Sequence, residues 1–89
     1  MVDGKTTELL AERSATHGDF SENARIAQCI KEIMRSSSGW RRIGPQGRES
    51  LEMIAHKIAR IIAGNANFPD HWDDIAGYAK LSSDGKAGL

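Results

Sequence analysis

Apolar residues recur at the spacing of an α-helix in two long segments of this sequence, and no segment alternates with the period of a β-strand. Both segments are therefore predicted to form amphipathic helices that bury one face. In residues 19–35 the apolar stripe consists of Ile26, Ala27, Ile30, Ile33 and Met34. In residues 46–63 it consists of Leu51, Ile54, Ala55, Ile58, Ile61 and Ile62.

Two further helices are predicted from weaker patterns. A short one runs from Thr6 to about Arg13, before the stop at His17-Gly18, and another starts near Pro69, where proline suits a first helical turn. The stripe that this last helix would bury is Trp72, Ile75, Ala76 and Ala79. Residues 36–47 combine serine, glycine and proline and are predicted to be a loop.

The fold class that follows is all-α: a small helical bundle built on a long helical hairpin, with three main helices and a short N-terminal helix. Residues 1–81 are expected to form a single helical domain, and residues 82–89 a flexible C-terminal tail.

A chain of 89 residues has room for only a small core, and domains of this size often bury more surface by self-association. A homo-oligomer is therefore expected. Asp74 and Tyr78 lie one turn apart on the face of the last helix opposite Trp72, and Leu81 continues the row. Tyr78 and Leu81 are the predicted interface residues, because a row that includes an aromatic side chain is typical of a contact surface.

Charge and composition argue against several other settings. Twelve basic and twelve acidic residues give a formal net charge of zero, so DNA binding is not expected. No apolar run approaches the roughly 20 residues that span a bilayer. The lone cysteine, Cys29, has no partner for an internal disulfide, and residues 1–10 lack the pattern of a signal peptide, so the cytoplasm is the expected location.

Polar side chains form a row beside the apolar stripe of residues 46–63. At 100° per residue Glu52, His56 and Arg60 lie one turn apart. One interpretation is a solvated helix edge with weak contacts between residues four apart. The other is a ligand site, because lysine and arginine are the usual groups that hold phosphate oxygens. The predicted ligand-binding residues are Glu52, His56, Lys57, Arg60, Asp70 and Asp74.

Carboxylates on the two C-terminal helices also permit a magnesium site, since Mg²⁺ takes oxygen ligands. The candidates are Glu49, Glu52, Asp70 and Asp74. Asn23 is a polar residue on an otherwise apolar stripe, where a buried amide needs a partner. It could fix the packing of the helices, or it could point into a ligand site shared with His56.

The segments ERSATHGDFSENARIAQCIKEI, ESLEMIAHKIARIIAG and DHWDDIAGYAKL resemble a family of small proteins that tailed phages and prophages encode. This resemblance covers residues 12–81 and implies a phage accessory protein, without implying an activity.

A more distant similarity is to the all-α MazG-type nucleoside triphosphate pyrophosphohydrolases, which hold metal with a Glu-Glu-x-x-Glu block and a later Glu-x-x-Asp. Glu49-x-x-Glu52 and either Asp70-x-x-Asp73 or His71-x-x-Asp74 stand at a comparable separation, but Arg48 replaces the first glutamate and the second block lacks its own. The acidic set is thus incomplete, which counts against hydrolysis.

Three functions remain open at this stage. The preferred one is a non-enzymatic, homo-oligomeric binder of a nucleotide or another phosphate-bearing small molecule, which would sequester a nucleotide signal or modulate host nucleotide metabolism. The alternatives are a Mg-dependent nucleotide pyrophosphohydrolase and a protein-protein interaction module that acts on a host protein.

Overall fold

The structure, a computed structural model, describes residues 4–85 and confirms the all-α prediction. It contains four α-helices: α1 (Gly4–His17), α2 (Phe20–Ser36), α3 (Pro45–Ala63) and α4 (Pro69–Ser83). A short 3-10 helix, Ser38–Arg42, lies in the predicted loop between α2 and α3. There is no β-strand among residues 4–85. None of the helices in this range is both long and apolar enough to cross a membrane.

Local sequence signals set the helix ends. The Asp19 side chain accepts a hydrogen bond from the Glu22 backbone N–H and caps α2, as the sequence predicted. The Glu22 carboxylate pairs with Arg25 rather than returning to the cap, so only half of a capping box forms. Helices α3 and α4 each begin with a proline in the first turn, where the missing N–H costs nothing.

Two helix ends differ from the predictions. Helix α1 continues to His17, one turn beyond Arg13, and Gly18 follows it with a φ of 82°. Helix α4 continues to Ser83, two residues into the segment expected to be a flexible tail. Residues 86–89 of that segment, like residues 1–3 of the predicted domain, lie outside the described residues.

Helix α3 occupies the centre of the fold, because it packs along both α2 and α4. Three polar contacts cross these two helix pairs. Arg35 of α2 forms an ion pair with Glu52 of α3. Lys31 Nζ of α2 lies 2.7 Å from His56 Nε2 of α3, and Lys57 Nζ of α3 lies 3.0 Å from an Asp74 carboxylate oxygen of α4. These contacts tie α2, α3 and α4 into one layer of helices.

The apolar stripes of α2 and α3 lie on helices as predicted, but the structure buries them less than expected. Among the described residues the buried apolar side chains are three alanines, Ala27, Ala55 and Ala59. The expectation of buried Trp72, Ala76 and Ala79 on α4 was wrong, since all three are exposed. Four other members of the stripes or rows, Ile33, Leu51, Ile62 and Leu81, are also exposed.

Polar side chains fill part of the space between the helices. Lys31, Ser50, Lys57 and His71 are buried, and His71 is the bulkiest side chain among the fully buried ones described. Helix α4 is thus rotated relative to the prediction, so that His71 and not its neighbour Trp72 is buried, against Thr16 and His17 of α1. The Trp72 indole instead lies at the surface, where its Nε1 donates to the Ala66 carbonyl at 2.8 Å.

The two chain reversals, α1–α2 and α3–α4, contact each other closely at one end of the layer. A Cβ atom built on Gly18 would lie 2.1 Å from the Ala63 carbonyl oxygen, and one on Gly64 would lie 2.5 Å from the Thr16 carbonyl oxygen. The same Thr16 oxygen accepts hydrogen bonds from Asn65 N, at 3.2 Å, and from His71 Nε2, at 3.1 Å. This junction holds α1 against the ends of α3 and α4.

The Gly18→Ala substitution is expected to lower the free energy of unfolding by at least about 2 kcal/mol. It places a side chain at a positive φ and drives Cβ into a backbone carbonyl that cannot move independently. Gly77→Ala is the matched control, because Gly77 lies inside α4 with no atom within 4 Å of a built Cβ. There alanine should be neutral or stabilise by up to about 1 kcal/mol. Urea denaturation at one protein concentration compares them, and equal effects would contradict the close packing at Gly18.

Candidate functional site

A cavity of about 500 Å³ lies where α1, α2 and α3 meet, beside the junction of the two chain reversals. Helix α1 contributes Arg13 and His17 to its wall, and α3 contributes His56 and Arg60. Its other lining residues are Leu10, Ser14, Gly18, Asp19, Phe20, Asn23, Ala24, Ala27 and Gln28. Two guanidinium groups and two imidazoles thus converge on one space of the size that holds a small-molecule ligand.

His56 reaches the cavity from the middle of α3 and contacts Lys31 of α2. Because a lysine ammonium can only donate, the 2.7 Å contact requires His56 Nε2 to accept, which places the proton of a neutral ring on Nδ1. Burial lowers the pKa of His56, and the nearby charges of Lys31, Arg60 and Lys57 lower it further, against a small opposing effect of Glu49. His56 is therefore a neutral acceptor in this arrangement.

His17 is the last residue of α1 and is held between the junction and the cavity. Its ring meets the ring of the buried His71 edge to face, with 4.7 Å between the ring centroids. Burial is again the largest cause of a lowered pKa, followed by the charges of Arg60, His71, Lys57 and Arg13. Both imidazoles of the cavity thus resist protonation for the same reason, namely that they are partly buried among positive charges.

Asn23 is placed in a way that fits both of the roles that the sequence left open. Its Nδ2 donates to the His17 backbone carbonyl at 3.2 Å, across the α1–α2 turn, which fixes the packing of the two helices. It also lines the cavity together with His56. The amide therefore holds the turn and leaves its oxygen as a candidate acceptor for a ligand.

Asp19 is the acidic residue among the lining side chains, and its charge is already used locally. Its carboxylate accepts from the Ser21 hydroxyl and from the Glu22 backbone N–H, and these hydrogen bonds lower its pKa. Because the carboxylate serves as the N-cap of α2, it does not neutralise the guanidinium groups of Arg13 and Arg60 through any described ion pair.

Part of the cavity lining is apolar. Leu10 of α1, Phe20 at the start of α2 and Ala24 one turn later provide it, and the Phe20 ring is exposed. Basic and apolar side chains in one lining suit a ligand that carries both an anionic group and an aromatic or aliphatic part.

The structure divides the six predicted ligand-binding residues. His56 and Arg60 line the cavity. Glu52 faces α2 in its ion pair with Arg35, and Lys57 and Asp74 pair with each other between α3 and α4. Asp70 lies apart from the other five, exposed in the first turn of α4. The residues of the row on α3 therefore have different surroundings: Glu52 contacts α2, whereas His56 and Arg60 line the cavity.

The four carboxylates considered for magnesium do not come together. Glu52 contacts α2 while Asp74 contacts Lys57 on the α4 side, and Glu49 and Asp70 are exposed near opposite ends of the helical hairpin. In the part of the chain that the structure describes, no group of three or more His, Cys, Asp or Glu side chains is placed to hold a metal ion. A carboxylate-held magnesium ion therefore has no assembled site in residues 4–85.

The predicted interface residues occupy a separate shallow groove on α4. Tyr78 is half-buried and Leu81 is 47% exposed, and both line this groove with Asp73, Asp74 and Gly77.

Sequence reasoning missed Arg13 and His17 as cavity residues. Both lie on α1, and the sharp turn at Gly18 is what returns them toward His56 and Arg60. A signal was present in the sequence, because two basic side chains four residues apart share one helix face directly before a glycine. Its connection to the row on α3 depends on a long-range contact that helix periodicity does not encode.

The lowered pKa values of His17 and His56 predict that stability falls with acidification. The unfolded chain takes up protons at an ordinary pKa of 6.5, while the folded rings take them up only at lower pH. The free energy of unfolding should be constant well above pH 6.5 and decrease as the pH falls below it, by at most about 1.4 kcal/mol per pH unit for each ring. His56→Gln should make this decrease shallower in urea titrations from pH 8 to 5. An equal slope in the variant would show that His56 is not responsible.

Comparisons with known proteins give a family but no function. No curated protein and no solved structure matches the chain. One family model, described as a domain of unknown function (DUF6378), matches residues 4–86, which is nearly the whole sequence and includes all four helices with the cavity between them. The chain belongs to the DUF6378 family.

Proposed function

We propose that this protein binds a phosphate-bearing small molecule, such as a nucleotide, in the cavity between α1, α2 and α3. The observation that carries the proposal is the convergence of Arg13, His17, His56 and Arg60 on one space of about 500 Å³. An arginine guanidinium presents paired N–H donors that match phosphate oxygens, and two of them from different helices can hold one phosphate group from two sides.

The charge balance of the cavity supports an anionic ligand. Lys31, beside His56, adds a fifth basic group directly behind the wall, and the Asp19 carboxylate is engaged at the α2 cap. Gathering positive charges in a partly buried space is unfavourable unless an anion or water balances them. A bound phosphate would offset the repulsion that lowers the pKa values of His17 and His56.

The apolar part of the wall favours a nucleotide over free phosphate. Phe20 offers an exposed aromatic face in the lining, and aromatic side chains stack on nucleobases. The phosphate would then face Arg13 and Arg60, with the base toward Phe20. Within this proposal Lys57 does not contact the phosphate, because its ammonium pairs with Asp74.

The biological setting is proposed from the motif resemblance alone. As a phage or prophage accessory protein, the chain would act in the host cytoplasm and sequester a nucleotide or modulate host nucleotide metabolism. We favour binding over hydrolysis because the carboxylates that a MazG-type mechanism needs are dispersed over both flanks of α3. No contact among residues 4–85 specifically favours the alternative of a module that acts on a host protein.

Arg60→Ala is expected to weaken ligand binding about tenfold or more, since a hydrogen bond to a charged group contributes about 1.5–3 kcal/mol. The measurement is calorimetric titration with pyrophosphate and with mono-, di-, tri- and cyclic nucleotides at pH 7. The same loss is expected for Arg13→Ala, which removes the second guanidinium of the cavity.

Arg25→Ala is the matched control, because it removes an exposed arginine of α2 that pairs with Glu22. It should bind like the wild type. Because a phosphate that contacts imidazole favours the protonated ring, affinity should also rise as the pH falls from 7 to 6. The proposal fails if no phosphate compound binds the wild type, or if Arg60→Ala and Arg25→Ala bind equally well.

A further inference from the structure

The apolar stripes of α2, α3 and α4 lie on one side of the helical layer. On α3, Leu51 and Ile62 are eleven residues apart and so point within about 20° of each other, with Ile58 between them. The polar residues Glu52, His56 and Lys57 point at least about 100° away from Leu51. Helix α3 thus has an apolar side and a polar side.

The polar contacts between helices show which sides of α2 and α4 lie next to the polar side of α3. Lys31 and Arg35 of α2, and Asp74 of α4, all meet the polar side of α3. On α2, Ile30 and Ile33 lie at least about 100° from Lys31. The same spacing on α4 places Ile75 and Trp72 about 100–160° from Asp74. Their rows therefore adjoin the apolar side of α3.

Together these rows make an apolar side of the layer, here called the isoleucine face: the exposed Ile33, Leu51, Ile62 and Trp72 with the half-buried Ile30 and Ile75. Ile33 is 74% exposed, Ile62 65% and Trp72 54%. In helices α2–α4 the arcs that these rows span contain no Asp, Glu, Lys or Arg. A soluble single chain seldom leaves a surface of this kind uncovered.

We propose that the isoleucine face binds the same face of a second copy of this chain, in a homodimer that completes the core. This proposal does not depend on the cavity proposal, because His56 and Arg60 lie on the opposite side of α3. It replaces the Tyr78 and Leu81 groove as the predicted contact.

Three observations favour a second copy as the occupant. First, the buried apolar side chains described are three alanines, so the chain requires a cover whenever it folds, and another copy is always present. Second, an uncharged face meets itself across a two-fold axis without juxtaposing like charges. Two such layers would interleave their isoleucines as the two halves of one core.

The third observation is the amount of exposed surface. The chain exposes 6207 Å², whereas a folded monomer of 9.7 kDa is expected to expose about 5,100 Å². The difference exceeds the roughly 800 Å² that each partner contributes to a standard interface. The radius of gyration, 15.0 Å against about 12 Å expected, agrees with an open layer.

The test combines mass with site-specific protection. Light scattering should give twice the single-chain mass of 9.7 kDa at micromolar concentration. In a Cys29→Ser background, Ile62→Cys and Leu81→Cys are then labelled with a maleimide at high and low protein concentration. Both changes are mild, and both side chains are exposed in the single chain, Ile62 more than Leu81.

The dimer predicts that Ile62→Cys is labelled about tenfold or more slowly at high concentration than at low, while Leu81→Cys is labelled equally at both. If the chain stayed single, Ile62→Cys would be labelled faster than Leu81→Cys at both concentrations, because Ile62 is the more exposed. A mass of 9.7 kDa at all concentrations would overturn the proposal. So would protection of Leu81→Cys with Ile62→Cys open, which would place the contact at Tyr78 and Leu81.

Discussion

The Thr16 carbonyl, at the end of α1, is the point on which the arrangement of the helices depends. It accepts from the Asn65 backbone N–H of the α3–α4 turn and from the buried His71 imidazole of α4. The positive φ of Gly18 and the absence of a side chain at Gly64 allow the two turns to approach closely enough for both bonds. Because this junction fixes the direction of α1, it also brings Arg13 and His17 opposite His56 and Arg60.

The cavity brings together positive charges whose mutual repulsion is unfavourable unless an anion balances it. No ion pair described in residues 4–85 joins its two guanidinium groups or the nearby Lys31 ammonium to a carboxylate, and the Asp19 carboxylate caps α2. Such uncompensated charge has a cost in folding free energy, which a bound anion would offset. Burial and, after it, these same charges lower the pKa values of His17 and His56, so protonation of the site and occupation by an anion should favour each other.

Helix periodicity predicted the helices well but not which of their faces would meet. It placed α2, α3 and α4 and the Asp19 cap correctly, because these depend on residues within one or two turns. It misjudged Trp72, which is exposed, and His71, which is buried, because the rotation of α4 is set by the Thr16 and Lys57 contacts far away in the sequence. For the cavity, it selected His56 and Arg60. It grouped Lys57 with them, although Lys57 pairs with Asp74 on another helix.

Residue-resolved chemical shifts of a ¹⁵N-labelled protein during titration with pyrophosphate test the central claim most directly. The account predicts that the amides around the cavity, in residues 13–28 and 56–60, shift progressively and saturate, while those of Tyr78 and Leu81 remain unchanged. Pyrophosphate carries no nucleobase, so the chemical-shift changes that it causes report on phosphate binding by the basic side chains of the cavity. Saturable shifts confined to α4, or none at a millimolar excess of ligand, would contradict the claim that Arg13, His17, His56 and Arg60 form an anion site.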